Sequence, residues 1–536
     1  MLTAPKASEE RRKSRRLWFE TGLFMGGLMQ KHFTPLGEQK FRGRGGLIPR
    51  AFAGMDTGMA KHVLLLSICL ALAALGQRYQ PASERPPMPP REFRGAWVAV
   101  VHNIDWPSAK GLSAATQQAQ ARSILDRMAS LNMNAVILQV RPHADAVYAS
   151  SREPWSHWLS GTMGKSPGYD PLKYWIKEAH RRGIEVHAWF NPFRALSNVA
   201  HPASSNHVSR SAPHITKRFG SLLWCDPGHP ETRQRALAAM LDVVRRYDID
   251  GVHLDDYFYP YPEGGRTYQD GRSPAQRRAI VDGFVKDLYT QVKGAKPWVR
   301  VGISPFGIWR PGVPDGIEAG IDAYEQLGCD ARKWLANGWV DYLAPQLYWR
   351  DQPRKQSFSA LLEWWRAQGT RPVWPGIAVS RVQSGDDPGR PASEIVKQVG
   401  LSRSVGRRNY AGHLQWSMKG LMDNRGGVAN ALSSSMYGEP VLVPPMPWMG
   451  KREVSRPGAQ ASAGGDQLQI RWQADRSVAR VAVMGRTGRT WRMLAVRSAA
   501  AGGVDLTLKG RAAPDAISVS GVDRYGNLSL PVVLAK

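Results

Sequence analysis

From Arg94 to Ser417 the chain alternates eight times between a short β-rich run and an amphipathic helical one, and this alternation constrains its fold more than any other feature. The β-rich runs are Gly95–Val101, Ala135–Arg141, Ile184–Asn191, Gly251–Tyr257, Val299–Ser304, Tyr342–Tyr348, Val373–Ser380 and Gly412–Ser417. Between them lie segments with 3.6-residue apolar periods, such as Ile124, Leu125, Met128 and Leu131, or Leu172, Trp175, Ile176 and Ala179, the latter stopped at Gly183. Further helices are expected near 231–247, 274–292, 330–337, 358–367 and 393–405. Strands that alternate with helices form parallel sheets, because only a crossover helix returns the chain to the same end of the sheet. Eight such units spread over about 340 residues predict an α/β fold, a (β/α)8 TIM barrel with insertions. A doubly wound open sheet is the rival, but no GxGxxG follows the first strand.

Side-chain parity agrees with closure. In the fourth strand Val252 and Leu254 alternate with His253, Asp255 and Tyr257. In the second Val136, Leu138 and Val140 alternate with Gln139 and Arg141, and in the third Val186, Ala188 and Phe190 alternate with His187, Trp189 and Asn191. The apolar set faces the helices and the polar set the barrel axis, with polar residues gathering at the carboxyl ends.

The flanks have other textures. After Tyr437 a proline-rich linker leads into residues 441–536, where alternating strands (Leu468–Trp472, Val478–Met484, Ile517–Val522) and a turn at 523–527 predict a small fibronectin type III-like β-sandwich. Before the barrel, Met59-Ala60-Lys61-His62 precedes thirteen nearly all-apolar residues, Val63 to Leu75, then small residues at 74–76. That is the size of a signal-peptide h-region and short of a membrane span of about 20 residues. Residues 1–76 are therefore expected to be an N-terminal extension and cleaved signal, with the true start near Met59, and residues 77–90 a proline-rich tether to a barrel over 91–437. Export to the periplasm or cell envelope is expected, with no stable membrane span after cleavage; the alternative is a membrane-anchored protein with a basic cytoplasmic tail. Three cysteines and no Cys/His spacing exclude a disulfide scaffold and a zinc-finger module.

In a TIM barrel the chemistry sits at the strand carboxyl ends, so those ends are read for function. The fourth ends in adjacent carboxylates, Asp255 and Asp256, among Tyr257, Phe258 and Tyr259. Desolvation by such neighbours raises one carboxyl pKa and leaves the other ionised, the asymmetry that glycoside hydrolysis uses. Asp255 has the axial parity and is the first catalytic candidate; Asp256 turns inward only if the strand ends at Asp255. Around them lie candidate substrate-binding residues: Gln139, Arg141 and Asp145 after strand two, Asn191 and Arg194 after strand three, Ser304 after strand five, Gln346, Tyr348 and Trp349 after strand six, and Trp416 after strand eight. Trp106, Trp189, Trp309, Trp349 and Trp416 offer indole faces on which pyranose rings stack.

The runs Arg94-Gly95-Ala96-Trp97, Gln139-Val140-Arg141-Pro142, Ala188-Trp189-Phe190-Asn191-Pro192, Asp250-Gly251 through Asp255-Asp256-Tyr257-Phe258-Tyr259-Pro260, and Pro345-Gln346-Leu347-Tyr348-Trp349 together resemble the bacterial glycosyl-hydrolase-like family ten. The resemblance spans Arg91 to about Tyr437 and implies an exported (β/α)8 hydrolase of peptidoglycan glycan strands, among them peptide-free strands, with cell-division or envelope proteins as further partners. Strand four is also similar to the chitinase pattern D-G-x-D-x-D-x-E, with Asp250, Gly251 and Asp255 in register, but His253 replaces an Asp and Tyr257 stands where the acid Glu would be. If the substrate's N-acetyl group assists, the resemblance implies that Asp255 orients it and Tyr348 hydrogen-bonds the intermediate. Otherwise Asp255 is the nucleophile, and the acid is Asp256, Asp145 or Glu153.

Two other readings compete. A non-catalytic glycan-binding barrel is consistent with the missing chitinase-type Glu. A metal-dependent hydrolase or deacetylase would build its site on His253 and Asp255, with His187 and His413 as further ligands. The carboxylate reading needs neither metal nor cofactor. The net charge of +28 admits nucleic acid, an anionic membrane or an anionic polymer. No nucleic-acid recognition motif accompanies the scattered basic residues, so no nucleic-acid partner is expected. Residues 441–536 alone carry 14 basic and 6 acidic residues, and the charge is read as attraction to an anionic envelope.

Overall fold

The computed structural model describes residues 77–385, 387–404, 410–450 and 452–536; the expected signal peptide and Val405, the last residue of the expected 393–405 helix, lie outside them. Eight parallel strands make one sheet: β1 (Phe93–Val98), β2 (Ala135–Arg141), β3 (Glu185–Phe190), β4 (Gly251–Leu254), β5 (Arg300–Ile303), β6 (Tyr342–Leu343), β7 (Gly376–Ile377) and β8 (Gly412–Gln415). Its order is β6-β5-β4-β3-β2-β1-β8-β7. The two edges meet: Leu343 bridges Val373 and Gln346 bridges Gly376, both parallel, so β6 joins β7 and the sheet closes into a barrel.

Among the described residues, eight helices of six residues or more alternate with these strands: α1 (Ala114–Ser130), α2 (Pro171–Arg181), α3 (Pro230–Arg246), α4 (Pro274–Ala295), α5 (Ala331–Ala336), α6 (Phe358–Arg366), α7 (Ala392–Ser404) and α8 (Val428–Ser435). Their starts are chemically marked. Ser113 accepts the Thr116 N–H, Asp170 caps α2 ahead of Pro171, and Ser273 with Gln276 forms a reciprocal capping box on α4. The expected apolar stripes are buried, and they pack with Val136, Leu138, Val140, Val186, Ala188, Val252 and Leu254 in the layer between sheet and helices. A separate interior cluster holds Phe93, Trp97, Ile137, Trp189, Tyr342, Trp374 and Leu414. Glycines on neighbouring strands make room for these rings. A Cβ on Gly302 would lie 2.0 Å from the Tyr342 ring, and one on Gly251 2.6 Å from His187 Nδ1.

Several strands are shorter than the sequence suggests. β4 stops at Leu254 rather than Tyr257, because Asp255 Oδ1 accepts the Tyr257 N–H and Phe258 N–H bonds back to Asp256 O, turning the chain out of the ladder. β6 stops at Leu343 rather than Tyr348. Pro345 has no N–H to donate, and Leu347 and Tyr348 bond back to Pro345 O and Gln346 O.

Among the C-terminal strands are β9 (Gln467–Gln473), β10 (Arg480–Thr487), β11 (Thr490–Ser498), β12 (Gly503–Thr507), β13 (Ala516–Val522) and β14 (Val532–Ala535). β9 alternates strictly, with Leu468, Ile470 and Trp472 buried and their neighbours exposed. β9 pairs antiparallel with β12, and β11-β10-β13-β14 form an antiparallel sheet whose outer edge is taken by Gln80–Pro81. The first residues after 76 thus add an edge strand to the C-terminal sheet before entering the barrel. That sheet also packs on the barrel's amino-terminal face. Arg480 reaches Asp250 at 2.7 Å and Glu185 at 3.2 Å, while Arg300 holds Glu185 at 2.7 Å and His180 holds Asp250 at 2.7 Å, all but His180 buried. Asp250, in register with the first Asp of the chitinase pattern, therefore holds this contact rather than the mouth of the barrel. Among the described residues no helix is long and apolar enough to cross a membrane.

Candidate active site

The site is built where β3, β4, β5, β6 and β8 end. Asp255 and Asp256, both buried, stand one and two residues beyond β4. Trp189 Nε1 donates to Asp255 Oδ2 at 3.1 Å and Asn191 Nδ2 reaches both carboxylate oxygens at 3.1 and 3.3 Å, so the end of β3 holds this carboxylate from one side. Asn191 Oδ1 in turn accepts the Arg194 N–H at 2.8 Å. Burial raises the Asp255 pKa, while the Arg194 charge and the Trp189, Tyr257 and Asn191 hydrogen bonds pull it back.

Asp256 differs. Because the ladder ends at Leu254, parity no longer forces it to the opposite face, and the Tyr261 hydroxyl donates to its Oδ2. Burial first, and then the Asp255 charge beside it, push Asp256 up to about 7, against the lowering pull of Tyr261 and the Gln346 amide. Two adjacent carboxyl groups thus sit in unequal environments. Asp255, whose charge helps to raise Asp256, gives up its proton first, and Asp256 keeps its own to higher pH.

Aromatic rings flank the pair. Trp349, Phe306, Tyr261 and Tyr257 touch in sequence, with ring centroids 5.6, 6.4 and 5.2 Å apart, and all four are partly exposed. Trp416, also partly exposed, stacks on Tyr348 at 6.2 Å and meets Trp97 and Trp189 edge-on. Burial and the nearby Asp256 charge hold the Tyr348 phenol well above its usual range. Arg194 lies 4.8 Å from the centre of the Tyr257 ring. The structure therefore brings together Asp255, Asp256, Asn191, Arg194, Gln346, Tyr348, Trp349 and Trp416.

The remaining candidates have scaffold partners. Gln139 Oε1 accepts the Val100 and Val101 N–H groups at 3.0 and 2.8 Å, pinning the end of β1. Arg141 forms a bidentate pair with Glu153 and donates to Asn191 O and Pro192 O. That pair occupies both carboxylate oxygens of Glu153. A cavity of about 380 Å³ behind Arg141 and Glu153 contains neither Asp255 nor Asp256. Asp145 is buried beside His143 and Ser156, its pKa raised by burial to about 6. Trp106 is wholly buried against Trp175 with its N–H on Gln117 O, so it packs the helix layer and does not face the mouth.

The metal reading on His253 does not fit. His253 Nδ1 lies 3.0 Å from the Tyr342 hydroxyl, and Nε2 lies 3.0 Å from Ser304 Oγ and receives the Trp97 N–H, leaving no free lone pair. His187 Nδ1 shares the same Tyr342 hydroxyl at 2.8 Å, and His413 Nε2 is bonded to Tyr437. Sequence reasoning missed Tyr261 and Phe306. The aromatic run Tyr257 to Tyr261 was the available signal, but only the turn after β4 folds Tyr261 back onto Asp256.

A family model described as glycosyl hydrolase-like 10 matches residues 92–384. The chain is 38% identical over 406 residues to the glycosyl hydrolase YngK of Bacillus subtilis, covering 71% of this chain and 79% of that one. It is 32% identical over 358 residues to the glycosyl hydrolase DigH of Escherichia coli K12, covering 60% and 81%. Among solved structures, the glycoside hydrolase domain of PgaB (BpsB) from Bordetella bronchiseptica aligns with a TM-score of 0.42 at 15% identity, covering 65% of this chain and 99% of that one.

Proposed function

Because the chain belongs to the glycosyl hydrolase-like 10 family and is a glycosidase, we propose that Asp255 and Asp256 are its catalytic pair and bacterial peptidoglycan glycan its substrate. The observation that carries the proposal is the inequality of the two carboxyl groups. Asp256, raised to about 7, protonates the leaving glycosidic oxygen. Asp255, held by Trp189, Asn191 and the Tyr257 N–H, ionises before Asp256 and stabilises the oxocarbenium-like centre or orients the substrate's N-acetyl group. Tyr348, whose phenol stays protonated, donates to the group that Asp255 orients. Trp349 and Trp416 supply the flat apolar faces that pyranose rings stack on.

Three features support the wall as target. The apolar run 63–75 fits an export signal, the basic residues of 441–536 attract an anionic envelope, and the aromatic mouth offers faces on which pyranose rings stack. A fibronectin type III-like role for residues 441–536, as a basic module carried by the barrel, completes this reading. The test is mass spectrometry of products from intact and amidase-treated peptidoglycan, using residues 77–536, Asp255→Asn and Asp256→Asn. New reducing ends are expected from wild type, none from Asp255→Asn, and about a hundredfold fewer or less from Asp256→Asn. Unchanged glycan lengths with retained binding would make the barrel a glycan-binding module toward this polymer.

A further inference from the structure

Beside the mouth, the loop after β2 and the short helix His157–Ser160 build a second polar cluster that the glycosidase chemistry does not use. His143, Asp145 and His157 are all buried, and one donor atom from each lies within 4.8 Å of the others. Their hydrogen-bonding capacity is largely unspent. His143 Nε2 and both ring nitrogens of His157 are buried with no hydrogen-bond partner, and so is Nδ1 of His201, whose ring centre is 5.3 Å from that of His157. A buried polar atom left unpaired has lost its hydration with nothing in return, so four in one place call for a partner of their own.

We propose that His143, Asp145 and His157 bind a divalent transition-metal ion of the zinc class, with His201 as the fourth, solvent-side ligand. Two imidazoles and a carboxylate are the donor set such ions prefer, and the partly exposed His201 leaves one position exchangeable. Tetrahedral bonds of about 2.1 Å place donors roughly 3.4 Å apart, so closing from 4.8 Å takes side-chain rotations of about an ångström. The surroundings suit the ligands. The His143 backbone N–H holds Asp145 Oδ1 at 2.8 Å, and His207 Nε2 bonds the His143 carbonyl at 3.0 Å, fixing the loop. Burial together with Arg194, Lys110 and the neighbouring histidines keeps His143 and His157 in the neutral, ligating form. Among the described residues, the rings of His143 and His157 take one hydrogen bond, from the Trp158 indole N–H to His143 Nδ1, at 3.4 Å the long limit of a hydrogen bond. On binding, His143 moves its ring proton from Nε2 to Nδ1 and gives up this contact; Asp145 binds as carboxylate.

The ion would lock the loop that seats Arg194, whose Nε donates to Pro142 O, one residue before His143. It acts apart from the carboxylate pair, so its test is separable from the glycosidase reading. Untagged full chain, stripped with EDTA, is titrated with Co2+. One equivalent giving visible d–d absorption, displaced by Zn2+, is expected in wild type and in Asp255→Asn, and a loss of at least tenfold in affinity in His143→Gln and His157→Gln. No band in wild type, or a band that survives in both histidine variants, overturns the proposal. Should a variant fail to fold, an anomalous difference map from a zinc-soaked wild-type crystal decides: a peak between the three side chains sustains the site, and none, or one elsewhere, overturns it.

Discussion

The indole Nε1 of Trp189 donates to Asp255 Oδ2 across 3.1 Å, tying the end of the third barrel strand to the carboxylate after the fourth. A hydrogen bond to a charged group contributes about 1.5–3 kcal/mol. Trp189→Phe keeps the ring and removes the donor. It is expected to lower kcat about tenfold or more while the melting temperature moves little; equal kcat would show that Asp255 does not depend on this bond.

Asp256 must be protonated to act as the acid. Its pKa is raised to about 7, so kcat/KM should fall as pH climbs through about 7, the protonated fraction being lost there. Asp256→Asn should cost about 10²–10⁴ in kcat and abolish that alkaline limb. An unchanged limb in the variant would assign it to another group.

Tyr261 lowers the Asp256 pKa by donating to it. Tyr261→Phe therefore raises that pKa further, and the alkaline limb should move to higher pH with the protein still folded. A limb that stays or moves down contradicts the contact.

Arg480 lies buried between Asp250 and Glu185. Removing one member of such a network strands the others, at a cost of about 3–5 kcal/mol. Arg480→Met should lower the melting temperature by calorimetry while leaving kcat near wild type, because this contact lies at the end of the barrel opposite Asp255.

Glu92 is held down to about 2 by its hydrogen bond to Arg403 and by the charges of His413, Arg94 and Arg403, which outweigh the upward push of burial. A depressed carboxyl pKa contributes stability above the unfolded value, near 4.3, and loses it as pH falls through about 2. The stability gap between wild type and Glu92→Gln in denaturant melts should be full at pH 6 and shrink progressively between about pH 5 and 2. A gap independent of pH would mean that the network does not act through the Glu92 charge.

The eight-fold alternation, the helix stripes and the parity of Val136, Leu138 and Val140 against Gln139 were legible in the chain, because strand and helix periods are local consequences of backbone geometry. So was the clustering of carboxylates and aromatics after the fourth strand. What local periodicity does not encode is where a ladder stops and who meets whom across the barrel. The turn at Asp255 frees Asp256 from strand parity, and the two carboxyl groups then sit in unequal environments. Asp250, five residues before Asp255, instead faces Arg480 at the other end of the barrel, 230 positions along the chain. Gln139 and Arg141 had the right parity and strand-end position, yet their nearest partners are Val100 and Val101 N–H groups and Glu153. The sequence by itself determined the architecture and the neighbourhood of the chemistry. Tertiary structure alone decided which carboxyl group keeps its proton, since pKa shifts are set by burial and by charges brought close only when the chain closes on itself.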